Sequence, residues 1–253
     1  MRRSVAAIAA AFALPAALVL GPVALAQGDT PLPTPGTDLA PGRFVSDVVG
    51  PRIAFSVDEG WQAGPAGPGP IFMLLRPDEP GAVVSVTRFD GAVFVDSCDQ
   101  TSMTEVEVTV PRFMTVIAGN PYLNPGTPTP VEVDGFEGLS LDLATPAYTE
   151  CQEEFLLLWA LPVSDGGEFV QVADQQSRFI ALDVDGDVVV VAIESLPGVP
   201  FGELLEASLE LVDSMTIEPG ALAAVEPSMD PDAAPSASPV PSSPGPQDPG
   251  LSA

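Results

Sequence analysis

The stretch that most limits what this chain can fold into is "RFIALDVDGDVVVVAIES", residues 178–195. Asp185-Gly186 is a two-residue hairpin signal, because both turn positions need a positive φ that Asp tolerates and Gly adopts freely. β-formers stand on both sides, Phe179 to Val184 before the turn and Val188 to Val191 after it. A rival reading uses the same residues. Asp183, Asp185 and Asp187 alternate as calcium ligands do, and Glu194 falls where a calcium loop beginning at Asp183 places its bidentate carboxylate. That loop needs glycine at its sixth position, which is Val188, and the next three valines bring no side-chain oxygen. On a strand, Glu194 would also lie roughly 23 Å beyond Asp187. A β-hairpin is therefore expected, with the three aspartates on an exposed turn that leaves room only for a weakly held cation.

Other segments extend the pattern. "RIAFSV" (52–57), "IFMLLR" (71–76) and "AVVSVTRF" (82–89) read as strands separated by Gly/Pro turns. "VEVDGFEGLSLDLA" (131–144) reads as strand, turn and strand, with Leu139, Leu141 and Leu143 on one face. "EFLLLWALPV" (154–163) is apolar from Phe155 on, as a central strand buried on both faces would be. "EFVQVAD" follows as a further strand, and "MTIEPG" closes the domain with a short one. Two segments carry helical spacing. In "TVPRFMTVIAGN" (109–120), Pro111 suits a first turn, Phe113, Val116 and Ile117 face inward, and Gly119-Asn120 suit a left-handed ending. In "PFGELLEASLELVDS" (200–214), Leu204, Leu205, Ser208, Leu209 and Val212 form a stripe. The fold class expected is α+β: an antiparallel β-sheet flanked by two helices in a single domain, residues 43–220.

The ends differ in kind. Residues 1–26 have a basic start at Arg2-Arg3, an apolar run and the small-x-small site Ala24-Leu25-Ala26, which reads as a signal peptide cleaved after Ala26. The rival, an uncleaved anchor, is interrupted by Pro15 and Pro22. Residues 27–42 read as a Pro-rich linker, and residues 221–253, rich in Pro, Ser and Ala, as a disordered tail. An extracellular or cell-envelope location follows. Loss of residues 1–26 removes two arginines and no acid, deepening the net charge from −27 to −29. Residues 43–220 alone hold 29 acids against six arginines. Such a surface repels phosphate backbones and anionic membrane surfaces, and it favours a soluble monomer and cationic partners.

The chain has no Lys and no His. That rules out a Ser-His-Asp triad, a Cys-His pair, a Schiff base, a P-loop lysine and His-ligated zinc. Cys98 and Cys151, an even pair in an exported chain, are expected to form a disulfide. Their acidic neighbours Asp96, Asp99, Glu150 and Glu153 would raise a free thiol's pKa, which disfavours a reactive role. Carboxylates remain as possible acid–base groups, yet no pair stands out among so many. Trp159 reads as core, Trp61 as a cap over the sheet, and "GNPYLNPGTPTP" (119–130) as a long loop with Tyr122 and Leu123 at its tip.

"RIAFSVDEGW", "VEVDGFEGLSLDL" and "FIALDVDGDVVVVAIES" followed by "FGELLEASLELVDSMTI" together resemble the PsbP-like group, including LpqN-type cell-envelope proteins. The resemblance covers the layout of residues 52–218 and implies an antiparallel sheet between helices with a non-enzymatic binding or adaptor role. It carries over no functional residue, and the chain lacks the acylated cysteine of the lipoprotein members. The function expected is a non-catalytic binding or interaction module, with a protein or small molecule of the envelope as its ligand. No catalytic, cofactor-binding or metal residue is assigned, and no cofactor is expected. Two alternatives stand beside it: a carboxylate-dependent hydrolase of envelope glycans, and a calcium-dependent adhesion domain.

Overall fold

A computed structural model describes residues 28–65, 69–147, 151, 155–161 and 167–220. The expected signal peptide and C-terminal tail lie outside the described residues. In chain order the first strands are β1 (Thr30–Pro31), β2 (Asp38–Leu39), β3 (Gly42–Ser46), β4 (Arg52–Val57) and β5 (Trp61–Ala63). Next come β6 (Ile71–Leu75), β7 (Ala82–Phe89), β8 (Ala92–Phe94), β9 (Met103–Glu105) and helix α1 (Val110–Ala118). They are followed by β10 (Asn124–Pro125), β11 (Thr129–Val133), β12 (Phe136–Ala144), β13 (Phe155–Leu161) and β14 (Gly167–Val172). β15 (Gln176–Val184), β16 (Asp187–Ser195), helix α2 (Phe201–Asp213) and β17 (Thr216–Glu218) complete the described elements.

A central antiparallel sheet runs β10-β12-β15-β16-β7-β6-β5-β2, with β11 also paired to β12. Its middle strand, β16, shows why both faces must be covered. Val189, Val191 and Ile193 enter one hydrophobic cluster, while Val188, Val190 and Ala192 enter another. A strand with two apolar faces is stable only between two layers. One layer is α2 with the small sheet β1-β3-β4-β17, which contributes Ile53, Phe55, Leu204, Leu211 and Val212. The other is α1 with the sheet β14-β13-β8-β9, which contributes Phe113, Ile117, Leu156, Trp159 and Phe169. The α+β class and its two helices stand as expected.

The Asp185-Gly186 turn forms as read. Val184 pairs with Asp187, the turn residues have φ of 55° and 94°, and Asp183 Oδ1 accepts a 2.9 Å hydrogen bond from the Gly186 N–H. Asp134-Gly135 repeats the device between β11 and β12. On β12, Gly138 is required for a different reason: a Cβ there would come within 2.2 Å of the Ala181 carbonyl oxygen. Gly138→Ala should therefore destabilise by roughly 1–3 kcal/mol through overpacking, read as a lower midpoint in urea unfolding.

Residues 28–42 join the fold rather than link to it: β1 lies parallel to β3, β2 pairs with β5, and Leu39 is buried. Arg43 pins this segment, with Nε 3.0 Å from Asp29 and Nη1 donating to the Ser214 carbonyl. Within "EFLLLWALPV", the described strand β13 (Phe155–Leu161) is buried on both faces, but within the outer sheet between β14 and β8 rather than the central one. Helix α1 starts on the Thr109 cap with Pro111 in its first turn, yet Gly119 has φ −85° and the ending is not left-handed. There an Asx turn leads the chain on, as Asn120 Oδ1 accepts from the Tyr122 N–H. Gly119 is needed for the close approach of the Thr115 carbonyl, 2.9 Å from where a Cβ would sit. The 119–130 loop is tied down by β10 and β11, and Leu123 is buried in the core. On α2 the buried side chains are Leu204, Ser208, Leu211 and Val212, a stripe turned from the expected one toward Leu211.

Candidate functional site

The alternation along β16 makes a further demand. Glu194 shares the parity of Val188, Val190 and Ala192, so its side chain points into the layer between the central sheet and β13–β14. The register sets Ser177 on β15 directly beside it on one side and Val83 on β7 on the other, with Ser85 diagonal to it. Polar residues thus gather at one end of an apolar layer. Gln171 on β14 and Gln175 in the β14–β15 turn complete the group, and both are buried.

The two glutamines are fixed in orientation by what their carbonyl ends accept. Gln171 Oε1 accepts from Ser177 Oγ at 2.9 Å, and Gln175 Oε1 accepts from the Val172 N–H at 2.9 Å. Their amide nitrogens must then face Glu194, and both donate to the same oxygen, Oε1, at 3.0 and 2.7 Å. Among the described residues no protein group donates a hydrogen bond of normal geometry to Oε2. The Ser85 hydroxyl faces the carboxyl and is buried, with no hydrogen bond of normal geometry among the described residues.

Burial is the dominant influence on this carboxyl and pushes its pKa up from 4.5 to about 7. The hydrogen bonds from Gln175 and Gln171, and the nearby Ser85 hydroxyl, act in the opposite sense and only partly offset it. With Oε1 committed to two N–H donors, a proton on this acid resides on Oε2. The group therefore offers an O–H in its neutral form and an open lone-pair face in its charged form.

Beside Glu194 a cavity of about 260 Å³ opens between the outer edge of β14 and the β6–β7–β16 part of the central sheet. Its walls are mainly apolar, with Ile71, Met73, Leu161, Phe169 and Leu196, and its polar lining includes Ser85, Gln175, Glu168 and Glu194. Phe169 stacks on Trp159 with ring centroids 3.9 Å apart, and Trp159 meets Phe113 and Phe179 edge to face. That aromatic block gives the cavity a rigid floor. A second hollow beside Trp61 holds Arg76, but this cation is already placed 5.5 Å over the indole ring and 3.4 Å from Glu79.

In the sequence Glu194 stands out only as the last position of the calcium-loop pattern, and no site residue is expected here. A signal was present: an acid at the inward parity of an otherwise apolar strand. The aspartates of the hairpin turn do not converge with it. Asp183 and Asp185 are exposed, and among the described residues no three ligand-type side chains are grouped to hold a metal ion. Cys98 and Cys151 are joined as a disulfide, with Cα atoms 4.9 Å apart, and link the β8–β9 connection to the start of β13. Such a bond suits an oxidising compartment.

The fold and site define a class: a three-layer α+β domain with a cavity that ends on one largely enclosed carboxyl. No family model matches the chain, and no curated protein matches it. Among solved structures it is similar to a protein from Bacteroides thetaiotaomicron VPI-5482, at TM-score 0.38 and 9% identity over 71% of this chain. The chain spans 49% of that protein's length. It is also similar to the cyanobacterial PsbP (CyanoP) of Synechocystis sp. PCC 6803, at TM-score 0.36 and 12% identity, covering 72% of this chain and 95% of that one.

Proposed function

We propose that this chain is an exported, non-catalytic binding module whose ligand is a small molecule held in the cavity at Glu194. The observation that carries the reading is the pairing of apolar walls with one carboxyl oriented by two fixed glutamines. Binding sites are commonly concave, mostly apolar and equipped with a few placed polar groups. The volume lies just below the roughly 300–1,000 Å³ usual for such pockets, so a small ligand, or one group of a larger one, fits. Export through the 1–26 segment, cleavage after Ala26 and the envelope setting shared with LpqN-type proteins belong to the same proposal. The test is to purify the protein from its own envelope and identify any bound small molecule by native mass spectrometry. Val83→Trp, which fills the space beside Glu194, should lose that molecule and keep the fold. An empty wild-type protein under conditions that preserve weak complexes would count against the reading.

One observation favours hydrolysis as a second reading: Glu168 lines the same cavity as Glu194 and is exposed, so two acids of unequal environment share it. A glycosidase needs such a pair. The walls, however, offer a sugar few hydrogen-bonding groups, and the binding reading accounts for them better. Reproducible hydrolysis of a glycan that vanishes in both Glu168→Gln and Glu194→Gln would reverse this order.

A further inference from the structure

Resting on that reading, we propose that the cavity takes a small apolar amine, whose ammonium group is received by Glu194 Oε2 and the Ser85 hydroxyl. Four features of the site point to this chemistry. First, Oε1 of Glu194 is occupied by two amide donors whose other ends are committed, so Oε2 is the carboxyl oxygen left for a ligand, and to the charged form of the acid the ligand brings a donor. Second, Ser85 is 1% exposed and lines the cavity, and its hydroxyl, which faces the Glu194 carboxyl and makes no hydrogen bond of normal geometry among the described residues, has lone pairs free beside the same position. Third, the described residues lining the cavity include two carboxylates and no arginine, and the chain has no other kind of cationic side chain, so none of them offers an anion a charged partner. Fourth, the excess of acids over arginines in residues 43–220 sets up a field that draws cations toward any concave, low-dielectric site. Apolar walls then select amines with a hydrocarbon body over inorganic cations.

The surroundings of Glu194 leave its charge to the ligand. Ser85 and Val83 flank it from β7, Ser177 from β15, Gln171 and Gln175 from the outer layer, and among the described residues Glu168 is the other charged one lining the cavity. The Arg178–Asp142 pair nearby belongs to the opposite face of the sheet, since Arg178 is registered with Ile193. An ammonium must find Glu194 deprotonated. With a carboxyl that titrates near pH 7, amine affinity should rise as pH rises and level off above that point.

The test is calorimetric titration of the intact mature protein with benzylamine, benzyl alcohol and benzoate at pH 5 and pH 8. Benzylamine should bind about a hundredfold more tightly at pH 8 than at pH 5, the ratio that proton competition at one site near pH 7 gives. Glu194→Gln should weaken benzylamine by at least about tenfold at pH 8, the loss of one charge-assisted contact, while sparing benzyl alcohol. Retained benzyl alcohol binding shows that the variant is folded, and the wild-type pH comparison does not depend on it. If benzyl alcohol binds better than benzylamine and weakens as pH rises, the ligand is a neutral acceptor on the protonated acid. That result overturns the amine assignment and leaves the cavity reading standing. If none of the three binds, the amine assignment falls, and the cavity reading is decided separately by whether the protein from its own envelope carries a bound small molecule.

Discussion

Reducing the Cys98–Cys151 bond, or replacing both cysteines with serine, is expected to lower stability by about 4 kcal/mol. The chain-entropy treatment gives this value for a cross-link between residues 53 apart in sequence. Folding must then close the loop from β8 to β13 without help, and the outer sheet depends on that closure. β8 and β9 lie on one side of β13, and the Leu157 N–H donates to the Ser97 carbonyl next to the bridge. The layer containing α1, Trp159 and the cavity should therefore loosen before the layer containing α2. Urea unfolding of oxidised and reduced protein measures the total, and hydrogen exchange shows the order. Thiol labelling of the native, unreduced protein would refute the bridge itself.

Glu194→Gln should raise stability above pH 7 and leave it nearly unchanged below pH 4.5. A carboxyl whose pKa is higher in the folded state keeps its proton longer when folded. Between pH 4.5 and about 7 the unfolded chain releases a proton that the folded protein retains, so stability falls as pH rises through this window and is level above it. At most about 3 kcal/mol is involved, less to the extent that water in the cavity reaches the carboxyl. Glutamine preserves the neutral acid's pattern: its carbonyl accepts from Gln171 and Gln175, and its amide turns toward Ser85. Subtracting the variant's pH–stability curve from that of the wild type removes the contributions of the other carboxylates. A difference independent of pH would refute the assigned titration.

Where a single period ruled a segment, the fold was legible. β4, β7 and β16 alternate or run apolar between Gly, Pro and Asp turns, and each lies where that pattern places it. The 28–42 segment was not legible, because strands of two residues carry no period and proline density reads as linker. Its place is set by partners distant in sequence, Val45 for Pro31 and Trp61 for Leu39. The site was half legible. The inward parity of Glu194 could be counted along β16, and that of Gln171 follows from Phe169 two residues earlier on β14. That these two side chains meet depends on how the outer sheet lies across the central one, and no local pattern records that. The abundance of acids worked against recognition too, since a lone inward carboxylate does not stand out among 29 in residues 43–220.

The pairing of β17 with β4 has a consequence for the order of assembly. Residues 216–218 complete a sheet begun near the N-terminal end of the domain, and the Ser56 N–H donates to Ser214 Oγ across a separation of 158 residues. The β15–β16 hairpin, by contrast, closes over two residues and can form in about microseconds. A chain delivered N-terminus first thus holds its first strands without their last partner until residue 218 emerges. Up to that moment the layer around Ile53 and Phe55 is incomplete. Final locking waits for nearly the whole domain to arrive.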